Sequence, residues 1–188
     1  MLPPGISVPL LALVLAAAIY DIRYRRIPNW LNVAGVAVGF LLNAALLPRP
    51  DLGLIRPLDG VLFALKGFLI AFGLHFVFYL LRFTGAGDVK LMGAVGAMAG
   101  WPNWFGIFLL NAIIGGVLAV IFAMARGRLR KTLFNVGFAL GELAHFRAPY
   151  LAKEELDVNS PKSMRLPRGA MVALGTIAFL GASWAATH

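Results

Sequence analysis

The sequence predicts an all-α, polytopic membrane protein with about six transmembrane helices, of which the fourth is short, and with both termini outside. Hydrophobic residues make up 60% of the 188 residues and charged residues only 13%, and the mean hydropathy is +0.82. Soluble domains contain about 45–50% apolar and about 25% charged residues. The apolar residues form six successive segments, and the basic residues collect in alternate loops. This composition excludes an ordinary water-soluble enzyme, a disordered chain and a fibrous repeat, because so much apolar surface needs a lipid environment.

The apolar segments cover residues 6–22, 28–47, 58–81, 88–100, 104–125 and 169–186. A spanning helix needs about 20 residues, so five segments are long enough or nearly so, and 88–100 is short. No Lys or Arg precedes the first segment, and Arg23, Arg25 and Arg26 follow it. This order predicts a retained first helix with its N-terminus outside, rather than a cleaved signal peptide.

The distribution of positive charge predicts which loops face the cytoplasm. The net charge is +9, and 14 of the 17 Lys and Arg residues lie in 22–28, 82–90 and 126–168. Cytoplasmic loops collect basic residues, so we interpret this excess as topology rather than as a nucleic-acid surface. In the last loop, 132–146 is apolar but too short to span easily, which favours an interfacial helix. No repeat divides the chain, and residues 1–188 are predicted to form one membrane domain.

Two acidic residues stand out, because ionisable groups near lipid are costly and need an explanation. Asp21 ends the first segment and opens the sequence DIRYRRIPN, and Asp88 lies in the sequence GAGDVKL. Taken alone, Asp21 is explained as a boundary acid paired with Arg25, and Asp88 as a helix N-cap after a glycine turn. Pro28 suits the first turn of the next helix, and Asn29 suits a cap or a turn.

Considered together, the two acids predict catalysis. Both lie at cytoplasmic ends of predicted helices, and helix packing can bring them together although 67 positions separate them. Two facing carboxyl groups share one proton, because like charges a few ångströms apart resist double ionisation. The ionised partner then activates water while the protonated partner polarises a carbonyl. This is the chemistry of an aspartic protease, which needs neither a metal nor a nucleophilic side chain.

The short fourth segment predicts that Asp88 lies below the cytoplasmic membrane face. Its 13 residues form a helix of about 20 Å, against a hydrocarbon thickness of about 30 Å. Trp101 and Trp104 are typical of an outer interface belt, from which this depth is measured. An acid at that depth has to line protein or a water-filled cavity. Small residues favour close packing around the segment, namely Gly93, Gly96, Ala97 and Gly100.

These motifs resemble those of the prepilin peptidases, which are GxGD-type membrane aspartic proteases. The resemblance rests on Asp21 with the following RRIPN, on GAGDVKL, and more weakly on Pro167-Arg168-Gly169 at the start of the last helix. A lone GxGD motif is weak evidence, whereas GxGDxKL combined with an upstream D…RRIPN between membrane spans is strong. The order, spacing and topology agree over almost the whole chain.

The resemblance implies that Asp21 and Asp88 are the catalytic pair of an endopeptidase. Its substrates would be type IV prepilins and pseudopilins, whose basic leader is removed at the cytoplasmic face of the bacterial inner membrane. The candidate supporting residues are Gly85, Gly87, Lys90, Arg25, Arg26, Pro28 and Asn29. The implied partners are these precursors, the lipid bilayer and the pilus assembly machinery, and not nucleic acid.

The sequence also departs from the larger members of this family. Those members carry a cytoplasmic N-terminal domain with paired cysteines, and they N-methylate the mature pilin. This chain has no cysteine and no room for that domain. It is similar to the short, peptidase-only kind found in tight-adherence (Flp-type) pilus systems, so we expect neither zinc, nor S-adenosylmethionine, nor another cofactor. Archaeal preflagellin peptidases share the two-aspartate pattern and are a neighbouring option.

Two other classes of function stay open on the residues alone. A transporter would use Asp21 and Asp88 as a proton or cation site, although the sequence contains no inverted repeat. A non-catalytic assembly subunit of a pilus or secretion machine would use both acids as helix caps. His75, within the third segment, is expected to be a packed polar residue rather than a ligand.

Overall fold

The structure is a computed structural model, and it describes residues 2–46, 56–145 and 168–186. Every regular element in these ranges is an α-helix, which confirms the predicted all-α class. The helices are α1 (Pro4–Tyr24), α2 (Asn29–Ala45), α3 (Pro57–Leu80), α4 (Ala86–Ala125), α5 (Leu129–Ala144) and α6 (Arg168–Ala185). The predicted segments agree closely with these bounds, and the predicted division between 88–100 and 104–125 coincides with the break at Gly100 that separates the two halves of α4.

The turn between α1 and α2 is shaped by its own residues. Arg25 adopts a left-handed backbone with φ of 51°, and its N–H donates to the Asp21 carbonyl at 2.9 Å, which ends α1. Pro28 precedes α2 with φ of −63° and ψ of 139°, and the helix begins at Asn29. The placement of Pro28 inside the first helical turn and of Asn29 as the cap is therefore wrong by one residue. The extended ψ of Pro28 puts it at the cap position instead.

The fourth helix is broken at Gly100, where φ is 73° and ψ is 162°. Only glycine adopts this backbone region readily. Pro102 follows the break and has no N–H to donate to the Met98 carbonyl. The buried amide of Asn43 in α2 donates to the carbonyls of Ala97 at 3.0 Å and of Met98 at 3.1 Å. A side chain from another helix thus satisfies carbonyls at the end of the first half of α4.

Small residues bring α3 and the first half of α4 close together, as the sequence predicted. A Cβ placed on Gly67 would meet the backbone of Gly96, and one placed on Gly96 would meet Ala71. A Cβ on Gly93 would lie 3.1 Å from the ring of Phe68. Close backbone approach of this kind is what drives helix association in lipid. The contact fixes the position of the half-helix that carries the GAGDVKL motif.

In the part of the chain that the structure describes, four helices are long and apolar enough to cross a membrane, namely α1, α3, α4 and α6, and α2 is a shorter apolar helix of 17 residues. The 40 residues of α4 correspond to about 60 Å, or twice the hydrocarbon thickness of about 30 Å. These helices confirm a multi-pass membrane protein. Six crossings, with α4 crossing twice at its break, and the placement of both termini outside stay predictions.

A further helix, α5, covers most of the apolar piece predicted at 132–146. Its side chains Leu133 and Phe134 are exposed, at 57% and 67%. Its location at the membrane interface stays a prediction. Residues 146–167, which form the larger part of the predicted cytoplasmic loop and include Pro167, lie outside the described residues.

Helix directions bring the motif-bearing ends together. The short turn 25–28 joins the end of α1 to the start of α2. Lys90 Nζ donates to Asn29 Oδ1 at 2.9 Å, so α4 starts beside the start of α2. The N–H of Gly169 donates to the Asp21 carboxylate at 2.8 Å, so α6 starts beside the end of α1. All the predicted site residues therefore lie at one end of the molecule.

Candidate active site

The carboxyl group of Asp21 is held by α6 rather than by its own helix. Asp21 lies one turn before the end of α1 and is half-buried. Its Oδ2 accepts a hydrogen bond from the backbone N–H of Gly169 at 2.8 Å. Arg25 and Arg168 act on this carboxyl group electrostatically, without forming an ion pair with it. Simple pairing with Arg25 therefore does not explain this acid.

The carboxyl group of Asp88 has three donors. Asp88 is the third residue of α4, and its Oδ2 accepts the N–H of Gly85 at 3.2 Å. The Thr84 hydroxyl lies 3.4 Å from the same oxygen and 3.2 Å from the Gly85 carbonyl oxygen, so the two acceptors share its single proton. Arg168 Nη1 lies 3.3 Å from Asp88 Oδ2 and forms an ion pair with it. Gly85, rather than Asp88, is the N-cap, and Asp88 reaches back to it in the manner of a capping-box acid. Helix capping thus accounts for one of its contacts and not for the ion pair.

Two consecutive residues of α6 connect the aspartates. Arg168 contacts the Asp88 carboxylate and Gly169 contacts the Asp21 carboxylate. The two carboxyl groups are also close enough to interact electrostatically. The approach is tight, since a Cβ on Gly169 would lie 2.9 Å from Asp21 Cβ and 3.0 Å from the Ala17 carbonyl oxygen. The start of α6 therefore gathers both acids into one site.

Several predicted supporting residues join the two sequence motifs. Lys90 donates to Asn29, as described above, which ties GAGDVKL to RRIPN. A Cβ on Gly87 would lie 3.6 Å from Ile27, so the glycine loop packs against the α1–α2 turn. Gly85 contributes its backbone N–H to Asp88. These contacts position the start of α4 against the start of α2.

The remaining predicted residues surround the site without binding either carboxylate. Arg25 and Pro28 shape the turn after Asp21. Arg26 is exposed, and within the described ranges it has no polar contact with Asp21 or Asp88. A role for Arg26 in recognition of a leader stays a prediction.

A cleft of about 240 Å³ opens beside Asp88. Its lining is largely apolar and comes from α3, the turn between α3 and α4, both halves of α4, and α6. The lining residues are His75, Phe78, Phe83, Thr84, Asp88, Met92, Phe108, Asn111, Ala112, Arg168, Met171 and Val172. The volume accommodates a side chain or a short extended segment of a peptide. Asp88 and Arg168 supply the charged groups of this lining, and His75, Thr84 and Asn111 supply its other polar groups.

His75 packs within an aromatic cluster on the wall of this cleft. It is 7% exposed, and its Nδ1 lies 3.0 Å from the Ala71 carbonyl, which can only accept a hydrogen bond. Its ring meets those of Trp104 and Phe108 edge to face. Trp104 is only 1% exposed, so its assignment to an outer interface belt is wrong, whereas Trp101 is 49% exposed. The break at Gly100 turns the second half of α4 so that Trp104 faces α3.

Thr84, Arg168 and Gly169 were not predicted as site residues. Arg168 and Gly169 stood in the weakest of the three motif matches, and Arg168 was counted among the cytoplasmic loop charges. Thr84 immediately precedes GAGDVKL, but a threonine before a glycine turn carries no specific signal. The contacts of Arg168 and Gly169 with the aspartates come from helix packing across 80 and 148 positions of sequence.

The arrangement is suited to acid–base chemistry on a bound peptide. Two carboxyl groups at one site can divide between an ionised and a protonated form, since like charges at short range resist double ionisation. Within the described residues, no group of three or more His, Asp or Glu side chains is arranged to hold a metal ion.

Comparison with known proteins identifies the family. Residues 8–120 match the type IV leader peptidase family, which is more than half of the chain and includes both aspartates. The chain belongs to the type IV leader peptidase family. This membership confirms the resemblance to prepilin peptidases, and it gives no support to a transporter or a non-catalytic subunit.

Three proteins to which this chain is similar are named prepilin leader peptidase/N-methyltransferase. The protein of Aeromonas salmonicida strain A449 is 31% identical over 133 residues, which are 66% of this chain and 43% of the relative. That of Escherichia coli strain K12 is 29% identical over 135 residues, covering 69% and 57%. That of Pseudomonas aeruginosa is 29% identical over 117 residues, covering 60% and 38%. The chain thus spans about half the length of these relatives, and no solved structure matches it significantly.

Proposed function

We propose that this protein is a membrane aspartic endopeptidase that removes the leader of type IV, Flp-type prepilins and pseudopilins. The observation that carries the proposal is the convergence of Asp21 and Asp88 on the consecutive residues Arg168 and Gly169. Family membership supports the same reaction, and the names of the relatives supply the substrate class. Of the two activities in those names, we propose the peptidase activity alone for this chain, because the aspartate pair accounts for peptide hydrolysis and not for methyl transfer.

The proposed reaction is direct hydrolysis. One carboxylate removes a proton from water while the other, protonated, donates to the oxygen of the scissile carbonyl. The water oxygen bonds to the carbonyl carbon and gives a tetrahedral intermediate. The C–N bond then breaks as the nitrogen takes up a proton, which leaves a carboxyl-terminated leader and a mature chain with a free amino group. The carboxyl groups return to their starting protonation.

The cleft beside Asp88 is where the proposed substrate lies. A precursor anchored by its own membrane helix would present the scissile peptide at the membrane surface, with its basic leader in the cytoplasm. The largely apolar wall formed by Phe78, Phe108 and Met171 suits the residues that flank the cut. The Asp88 end of the cleft then receives the peptide bond.

The proposed setting is the bacterial inner membrane, with the site on its cytoplasmic side and both termini outside. The basic residues of 22–28 and 82–90 adjoin the two aspartates, which supports this orientation through the positive-inside rule. In the same arrangement, α5 would lie along the cytoplasmic interface with Leu133 and Phe134 towards lipid. The pilus assembly machinery is a further proposed partner, which would receive the processed chains.

Asparagine variants of the aspartates test this proposal. In purified enzyme reconstituted in vesicles with a membrane-inserted prepilin, Asp21→Asn and Asp88→Asn should each lower leader release at least about 100-fold, since each removes an acid–base group. Leader release is read by gel mobility and confirmed by mass spectrometry of both products.

The matched control is Asp59→Asn. Asp59 is the third residue of α3 and accepts the Arg56 N–H at 2.8 Å, which reproduces the capping contact of Asp88 outside the site. We expect this variant to cleave normally. Cleavage retained by either site variant contradicts the proposal, and equal loss in Asp59→Asn would show that capping is what the substitutions disturb. Loss of ion uptake with normal cleavage would favour a transporter.

A further inference from the structure

Arg168 is the first residue of α6, and its guanidinium group is a cation within the aspartate site. Its Nη1 lies 3.3 Å from Asp88 Oδ2, and its side chain is 34% exposed while that of Asp88 is 16% exposed. Within the described ranges, Arg168 is the cation that forms an ion pair at the aspartate site, and its partner is Asp88. A partly buried ion pair between one member of a carboxyl pair and an arginine is not explained by topology, because a loop charge has no need to enter the site.

The two carboxyl groups have unequal surroundings. Asp88 Oδ2 accepts from the Arg168 guanidinium and from the Gly85 N–H, and the Thr84 hydroxyl divides its single proton between this oxygen and the Gly85 carbonyl. Asp21 Oδ2 accepts from the Gly169 N–H. A carboxylate with several donors, one of them charged, is stabilised in its ionised form more than a carboxylate with one neutral donor. The pair is therefore asymmetric before any substrate binds.

We propose that Arg168 is a positioning residue that holds the negative charge on Asp88, so that the shared proton rests on Asp21. The inference rests on the proposed function and assigns the two roles within it. Asp88 removes the proton from water, and the proton of Asp21 goes to the carbonyl oxygen as the oxygen of water bonds to carbon. When the C–N bond breaks, Asp88 gives its proton to the nitrogen and the tetrahedral oxygen returns a proton to Asp21.

Other charged or titratable groups also face the pair and leave the asymmetry in place. His75 of α3 interacts electrostatically with Asp88, and both Arg168 and Arg25 interact with Asp21, but only Asp88 forms an ion pair with Arg168. Lys90, on the same helix as Asp88, is bonded to Asn29 of α2. Removal of the Arg168 guanidinium should therefore change the division of negative charge between Asp21 and Asp88 more than removal of any of these other groups.

The test measures kcat and KM against pH for Arg168→Gln and Arg168→Lys. Loss of the cation should move the acidic limb of the kcat profile of Arg168→Gln to higher pH by about one unit, so that kcat on that limb falls about tenfold. KM should stay unchanged, and Arg168→Lys should keep the wild-type limb. Arg126→Gln removes an equal charge after α4, outside the site, and should leave both parameters unchanged.

A second variant separates charge from folding. In Arg168→Ala, added methylguanidinium should restore the acidic limb, whereas methylurea, its neutral analogue, should not. The inference is overturned if the acidic limb of the kcat profile does not move in Arg168→Gln. It is also overturned if kcat falls equally at every pH and neither Arg168→Lys nor added methylguanidinium restores it. Asp21→Asn and Asp88→Asn are assayed in parallel. If both are inactive while the Arg168 limb does not move, only the inference fails, and if either is active, the proposed function fails.

Discussion

At the scale of single residues, the site depends on a glycine as much as on its acids. The N–H of Gly169 holds the Asp21 carboxylate at 2.8 Å, and the same residue has no room for a side chain. The close approach of α6 to α1 is what allows a backbone donor to reach a carboxyl group directly. Backbone donors are fixed by their helix, so they hold a carboxylate in one orientation at little cost in conformational entropy.

Gly169→Ala should therefore impair catalysis without removing any functional group. Its Cβ would lie 2.9 Å from Asp21 Cβ, which forces α1 and α6 apart. We expect leader release to fall between about 10- and 100-fold, because a displacement of about 1 Å is enough to lose that much. The control is Gly181→Ala on the same helix, where a Cβ meets nothing within 4 Å. Equal rates for the two variants would show that the α1–α6 approach does not set the geometry.

At the scale of helices, the break in α4 gives the site two of its walls. The first half of α4 carries Asp88, and the second half carries Phe108 and Asn111 of the cleft. Gly100 supplies the backbone that permits the break, and Asn43 satisfies carbonyls beside it. The two halves of one helix therefore contribute to the same cleft.

The contact of α3 with the first half of α4 should limit the stability of this arrangement. In Gly67→Ala the new Cβ would meet the Gly96 carbonyl, so the helices have to separate. Overpacking of this kind costs about 1–3 kcal/mol. We expect a lower midpoint of thermal unfolding in detergent, measured by circular dichroism. Gly73→Ala, also on α3, meets nothing within 4 Å and should keep the wild-type midpoint. The same midpoint for both variants would contradict the packing described.

At the scale of the whole molecule, hydrophobic segments and charge distribution were sufficient to predict the helices. The segment at 58–81 differs from α3 by one residue at each end, because lipid makes apolar length a direct signal. The division between 88–100 and 104–125 also agrees with the structure, because Gly100 has a non-helical backbone that separates the two halves of α4. The sequence does not show how the carbonyls beside this break are satisfied, because the Asn43 amide that donates to Ala97 and Met98 comes from another helix.

Of the candidate site, the sequence marks the two acids but not the α6 residues that lie beside them. Asp21 and Asp88 have local motifs, RRIPN and GAGDVKL, that mark them in the sequence. Arg168 and Gly169 act through contacts that depend on the angle and depth at which α6 packs, which no local pattern encodes. Trp104 was misplaced for the same reason, since its burial depends on the direction of the chain after Gly100.

The fold brings Asp21 and Asp88 into one site at the start of α6, and cysteine cross-linking is a direct measurement of their proximity. The chain has no cysteine, so a pair introduced at these two positions reacts without background. In native membranes, Asp21→Cys/Asp88→Cys should form an intramolecular disulfide or accept a short bis-thiol cross-linker. Asp21→Cys/Asp59→Cys should not cross-link, because Asp59 lies at the start of α3, whereas the site lies near the end of that helix. Failure of the first pair to cross-link, or equal cross-linking of both pairs, would contradict the account.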